Sequence, residues 1–384
     1  MQIDNKKAFH FIILMGIVSL FGDVVYEGAR SISGPYLKLL GASALAVGVI
    51  AGIGEFLGYA VRIGSGYLID KTGFYWPITI IGYAMLGFIP LLGLANMWQT
   101  AGFFLIMERI GKGIRTPARD AILSHVTKKI GRGTGFGLHE ALDQIGAIIG
   151  PLIFSFAFFL GYEYKKSFGF LWIPVLLCII ALLIARAKVP NPERFERPLK
   201  NKDFSKVFWI YALFIFLSVL GFSSFQLISF HLKKYSVISD VDIPIFYAIA
   251  MGIDALMALI IGKIYDKKGF LCLLAIPLLS IPIPILAFSM DSRSVLIGII
   301  FWGAVMGIHE TIMRAAVADI TTPEKRGIAY GIFNTIYGFS FFLGSGIMGY
   351  LYGISISYLI LFCFIAQLLS IPFFVWLRTS VRYT

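Results

Sequence analysis

The sequence predicts an all-α membrane protein, with twelve transmembrane helices in two parallel six-helix repeats. Three observations carry that prediction. Of 384 residues, 58% are apolar and only 14% charged, against about 25% charged in soluble chains. Apolar runs recur along the whole length, and since a helical span takes roughly 20 residues, twelve take about 240 and leave short loops. Short motifs in the first half also return in the second at nearly one offset, the mark of an internal repeat.

In chain order the spans fall at 8–38, 43–69, 76–95, 99–124, 135–160, 167–187, 207–232, 244–265, 270–290, 294–319, 327–352 and 355–377. Lys6 and Lys7 ahead of an apolar run resemble a signal peptide, but no small-residue cleavage site follows, so the run is kept as the first span. The segment 188–206 holds Pro190, Pro192 and Pro198 among mixed charges, a composition no span tolerates. It is the linker, cytoplasmic, between an N-terminal bundle at 1–187 and a C-terminal bundle at 207–384. Pro277, Pro282 and Pro284 are expected to kink the ninth span.

The net charge of +12 raises a nucleic-acid reading, which topology displaces. With both termini in the cytoplasm, Lys71, Lys128, Lys129, Arg132, Lys267, Lys268, Lys325, Arg326, Arg378 and Arg382 gather on that side, as the positive-inside rule requires. The expected place is therefore the cell membrane, multi-pass, with the lipid bilayer and no nucleic acid as partner, and as a monomer. The three cysteines lie far apart in apolar runs without metal or redox spacing. No cofactor and no metal are implied.

Gly66-Tyr-Leu-Ile-Asp70-Lys71-Thr-Gly73 matches Gly262-Lys-Ile-Tyr-Asp266-Lys267-Lys-Gly269, and Gly113, Thr127, Arg132, Gly133 and Gly137 match Gly307, Thr321, Arg326, Gly327 and Gly331. Glycine permits the tight reversal and close helix contact in such a loop, and the aspartate can accept hydrogen bonds from a helix N-terminus. In the fifth span Gly146 and Gly150 lie on one face, allowing close backbone approach, and Pro151 bends the helix.

The intramembrane charges are concentrated in the first half. Each Arg, Lys or Asp facing lipid at mid-depth costs about 2.5–3.5 kcal/mol, so these groups must pair or face water. Asp23, Glu27 and Arg30 repeat at helical spacing on span one, as do Glu108, Lys112, Arg115 and Arg119 on span four. Glu55 and Arg62 flank Tyr59 on span two, and His139 and Asp143 are four apart on span five. Four charged stripes predict one shared polar cavity, nearly balanced between acids and bases. Arg119, Asp120 and Glu140 are read as a structural salt-bridge cluster near the inner interface. In the second half Glu310 and Arg314 form an i, i+4 pair, and His309 aligns with Arg115.

These motifs resemble the major facilitator superfamily of secondary transporters over essentially the whole chain. The Gly66–Gly73 loop is similar to its signature between spans two and three, although Phe74 and Tyr75 stand where basic residues are usual. Arg109-x-x-x-Gly113 resembles its buried-arginine motif, and Gly146-x-x-x-Gly150-Pro151 resembles the motif of its drug and proton antiporters. The resemblance implies alternating access, with the loop latching the cytoplasmic side against span eleven. It also implies proton-coupled movement of a small organic solute, outward in the antiporter branch. Proton-coupling candidates are Asp23, Glu27, Glu55 and Asp143. Candidate cavity residues are Arg30, Tyr59, Arg62, Arg109, Lys112, Arg115, His139, His309, Glu310 and Arg314. Gating falls to the two loop motifs and the span-five glycines. Alternatives are a proton-coupled importer of an organic anion, or a membrane-embedded enzyme, against which stands the lack of H-E-x-x-H or a Ser-His-Asp arrangement.

Overall fold

In hydrocarbon an unpaired backbone amide or carbonyl costs several kcal/mol, so a long apolar run is stable there as a helix, whose hydrogen bonds close within the segment. The computed structural model describes residues 5–127, 132–189, 204–322 and 326–382, and they are helical almost throughout. The helices are α1 (Asn5–Leu39), α2 (Ala44–Thr72), α3 (Tyr75–Ala84), α4 (Trp98–Thr127), α5 (Arg132–Phe159), α6 (Tyr164–Gly169), α7 (Trp172–Lys188), α8 (Lys206–Leu220), α9 (Phe225–Tyr235), α10 (Asp242–Lys268), α11 (Ala275–Ser280), α12 (Pro282–Ala287), α13 (Ser292–Asp319), α14 (Arg326–Ile354) and α15 (Ile356–Arg382). The protein is thus an all-α, multi-spanning membrane protein. Among the described residues, ten stretches are long and apolar enough to cross a bilayer.

Four spans differ in detail from the sequence reading, the sixth in being split into α6 and α7 at Phe170 and Leu171. The third is α-helical only to Ala84 and continues as 3-10 turns at Met85–Phe88 and Pro90–Leu94, because Pro90 lacks the amide an α-helix needs. The seventh is interrupted between α8 and α9. Ser224 restarts the helix by accepting from the Leu227 amide at 3.4 Å, and the Ser223 carbonyl is taken by the Trp302 indole at 2.8 Å. The ninth is broken into α11 and α12 around its prolines. α5, by contrast, runs unbroken through Pro151. Gly73 and Gly269, 196 residues apart, end α2 and α10 with φ of 68° and 55°. Both occupy the left-handed region that glycine enters without a Cβ penalty.

The chain divides into two compact units, Met1–Ile32 with Leu57–Arg197, and Ser33–Phe56 with Pro198–Thr384. In the first, α3 packs on α4 and α7, and α4 on α5. In the second, α10 packs on α13, and α8 on α14 and α15. The close approaches inside each unit correspond. Gly150 abuts the Val24 carbonyl in the first, and Gly344 the Leu220 carbonyl in the second. Gly146 abuts the Leu20 carbonyl, while Ser340 donates a hydrogen bond to that of Phe216. Gly113 lies on the Gly58 carbonyl as Gly307 lies on that of Asp254. A methyl group on Gly66 would sit 3.9 Å from Pro117, and one on Gly262 3.7 Å from Thr311. In each case the residues on one helix differ by 196 and those on its partner by 194.

Candidate functional site

The first unit gathers its charges because small residues let its helices touch. Gly146 and Gly150 bring α5 against α1, where Gly28 meets Gly150. Gly113 brings α4 against α2, and Gly82 and Gly111 bring α3 against α4 at Arg115 and Met85. The charged faces of α1, α4 and α5 then meet, and their side chains form one connected network.

Its centre is Glu108, 1% exposed. The carboxylate lies 3.2 Å from Arg109 Nε and 3.5 Å from Arg115 Nη2, so one anion serves two guanidinium groups. Arg115, itself buried, donates to the Gly82 carbonyl at 3.3 Å and lies over the Tyr83 ring at 4.9 Å. Tyr26 is the second focus. Its ring has the Arg109 guanidinium at 3.3 Å, Lys112 Nζ at 4.0 Å and Arg30 at 5.8 Å from the centroid. Arg30 pairs with Glu27 at 3.7 Å, both buried. Asp23, half-buried, lies within electrostatic reach of Glu108 and Asp143.

A second layer is built on Arg119. It donates to Asp120 at 3.0 Å and to Ser19 Oγ at 3.0 Å, and it lies 3.9 Å from Asp143. Ser19 in turn touches the Tyr83 hydroxyl at 3.3 Å, which joins the two layers. His139 is buried, and its Nε2, Asp143 Oδ1 and Gln144 Oε1 have no hydrogen-bond partner among the described residues. One ligand atom each of His139, Glu140 and Asp143 lie within 4.8 Å of one another, close enough to hold a cation together. Arg119 competes for the same Asp143 carboxylate.

The network therefore unites Asp23, Glu27, Arg30, Arg109, Lys112, Arg115, His139 and Asp143. Tyr59 and Arg62 pair with each other on α2, guanidinium over ring at 4.6 Å. Glu55 is half-buried in the stretch of α2 that belongs to the second unit. Lys71, Asp266 and Lys267 are exposed at their helix ends. The Asp70 side chain lies outside the described residues, as do Lys128, Lys129, Lys325, most of the 188–206 linker, and the Arg132, Gly133, Arg326 and Gly327 side-chain positions.

In the second unit the same contacts surround aromatic rings. Trp302 stacks on Phe222 at 5.8 Å and meets Phe225 edge-on at 5.5 Å, with Tyr247 at 6.0 Å. His309 is buried with Nδ1 at 3.2 Å from the Tyr337 hydroxyl and its ring 4.9 Å from Phe222. Its Nε2 has no hydrogen-bond partner among the described residues. Glu310 and Arg314 are exposed.

Two members of the network escape a residue-by-residue reading of the sequence. Glu108 sits on the span-four stripe beside Arg109 and seven residues before Arg115, a spacing that marks it as a shared partner. Tyr26 carries no charge and gives no signal except its place one turn before Arg30.

The Major Facilitator Superfamily profile matches residues 12–345. An uncharacterised protein of Mycobacterium tuberculosis is 39% identical over 376 residues, covering 95% of this chain and 92% of that one. The multidrug resistance protein MdtH of Baumannia cicadellinicola is 26% identical over 341 residues, covering 84% and 79%. Among solved structures, the nucleoside transporter NupG superposes with a TM-score of 0.73 at 15% identity, over 96% and 98% of the two chains. A bacterial homologue of the human lysosomal transporter Spinster, inward-facing and unoccupied, gives 0.66 at 13% identity, over 96% and 95%. At such identities these two show the likeness of fold alone. The chain belongs to the major facilitator superfamily of secondary transporters.

Proposed function

We propose that the protein is a proton-coupled transporter of a small organic solute, with twelve transmembrane helices in two six-helix repeats, that works by alternating access as a monomer in the cell membrane with both termini cytoplasmic. The observation that carries the coupling reading is Glu108 shared by Arg109 and Arg115, with Asp23, Glu27 and Asp143 on the surrounding helices. In such a layer the protonation of one acid changes which partner each arginine holds. The network can thus exist in two charge arrangements, and alternating access requires a bistable element of this kind. The matched contacts at offsets of 196 and 194 support the two-repeat reading.

Export is the preferred direction. It is supported by the Gly146, Gly150 and Pro151 face against α1 and by similarity to a protein named for multidrug resistance. A second reading is import of an organic anion, of which Lys112, its ammonium 4.0 Å from the centre of the Tyr26 ring, favours the anionic solute. The test is solute flux in liposomes under an imposed pH gradient, in both orientations, with Asp23→Asn, Glu27→Gln, Glu55→Gln and Asp143→Asn. At least one variant should retain counterflow and lose response to the gradient. Unchanged coupling in all four removes the assignment of these acids.

A further inference from the structure

The charges of the first unit are nearly balanced when counted along the chain, but they do not all pair in space. Glu27 is taken by Arg30, Glu108 by Arg109 and Arg115 together, and Asp120 and Asp143 by Arg119. Lys112 and Asp23 are left without an ion pair among the described residues, and Asp23 acts on Glu108 and Asp143 only at longer range. The Lys112 ammonium has no carboxylate within salt-bridge distance and no hydrogen-bond acceptor among the described residues, and it rests 4.0 Å from the centre of the Tyr26 ring.

That ring already carries the Arg109 guanidinium at 3.3 Å. An aromatic face attracts one cation, but two cations beside one ring repel each other, and the repulsion is strong where water is scarce. The carboxylate nearest Arg109 cannot offset both, because Arg115 draws on it too. Glu108 and Asp143 feel the charge of Lys112 only at longer range. Lys112 is half-buried, so an incoming group can still reach its ammonium.

We infer that Lys112, with Arg109 beside it across Tyr26, is the subsite for the anionic group of the transported molecule. That group is a carboxylate or a phosphate, carried by a soluble compound or by a lipid headgroup. The inference deepens the transport reading and rests on it. Lys112 supplies a point charge with three donors, and Tyr26 supplies a flat face for the carbon skeleton next to the anion.

The full-length protein in phosphatidylcholine nanodiscs is titrated with benzoate, phenyl phosphate, inorganic phosphate, benzyl alcohol and benzylamine, and binding is followed by calorimetry. At least one anion should bind about tenfold or more tightly than the alcohol and the amine, the difference expected when a charged hydrogen bond is lost. Lys112→Gln should weaken that binding about tenfold, and Lys112→Arg should restore most of it. Nanodiscs containing phosphatidylglycerol separate the sources. Competition by that lipid, lost in Lys112→Gln, assigns the anion to a headgroup, and its absence assigns it to a solute.

The subsite is overturned if no anion binds, if alcohol or amine binds as tightly as the anions, or if Lys112→Gln binds like the parent at equal thermal stability. Counterflow in liposomes keeps the two readings apart. Flux restricted to neutral or cationic solutes sinks the subsite and leaves transport standing. Anion binding without flux of any solute in the panel leaves the subsite and sinks transport.

Discussion

The layer around Glu108 in the first unit and the layer around Trp302 in the second occupy matching places and are chemically opposite. Glu108 and Trp302 differ by 194 positions, Tyr26 and Phe222 by 196, Arg115 and His309 by 194. Around them the same close approaches between helices recur, carried by Gly150 and Gly344, and by Gly113 and Gly307. One layer is filled by a carboxylate held between two arginines, the other by an indole that donates to the Ser223 carbonyl and stacks on Phe222. Backbone contacts set the scaffold in each unit, and the residues inside it are exchangeable. The connected ionic network therefore lies in the first unit, while the matching layer of the second buries aromatic area, with the buried carboxylate of Asp254 on α10 beside it in sequence register with Gly58.

The sharpest way to break this contrast is to remove the carboxylate. Glu108→Leu leaves buried Arg115 without its carboxylate and half-buried Arg109 beside it, and breaking a buried ion pair from one side costs about 3–5 kcal/mol. The expected result is a large loss of folded protein in detergent unfolding, with transport abolished. If Glu108→Leu unfolds like the parent, the ionic layer does not organise the first unit.

The next largest effect probes the shared scaffold. A side chain at Gly150 must push into the Val24 carbonyl, and one at Gly344 into that of Leu220. Valine at either site should cost about 1–3 kcal/mol by overpacking, and the two losses should be similar. A severe effect at one glycine with tolerance at the other would end the claim that the contacts are equivalent.

Trp302→Phe sharpens the aromatic side. It keeps most of the ring area but leaves the buried Ser223 carbonyl without its donor, at a cost of about 1–2 kcal/mol. Solute-dependent stabilisation at Lys112 should be unaffected. A loss of anion binding in this variant would show that the two layers are not chemically separate.

The smallest effect lies where α13 begins. Asp291, exposed, caps that helix by accepting from the Ser294 amide at 2.9 Å and from its hydroxyl, whereas the corresponding start of α4 follows Met97. Those hydrogen bonds hold the Asp291 carboxyl below the usual carboxylate range. Because the folded-state value is depressed, the stabilisation is present above the unfolded value, roughly pH 4, and is lost as pH falls through the folded one. Hydrogen exchange at Ser294 should accelerate below that pH, beyond the change in intrinsic rate. Asp291→Ala should show the faster exchange at neutral pH.

Much of this was legible in the residue order. Apolar runs marked the helices to within a few positions, since in hydrocarbon only the helix satisfies its own backbone. The exceptions were local, as at Pro90 and at the Gly221–Ser224 break, where a side chain on a distant helix takes the freed carbonyl. The charged stripes were legible for the same reason of periodicity. Spacing along one helix says which residues share a face, not which face meets it, so Glu108 read as one charge among several and Tyr26 did not stand out at all.

By itself, then, the order of residues determined that the chain is helical and membrane-spanning, where glycine permits close approach, and that ionic groups are gathered in the first half. Tertiary structure alone decided the pairing: two arginines on one glutamate, and an ammonium and a guanidinium against one tyrosine ring. The physical reason is range. Hydrophobic and helical preferences act between near neighbours in sequence, whereas partnership among buried charges depends on distances of a few Å across helices that are far apart along the chain.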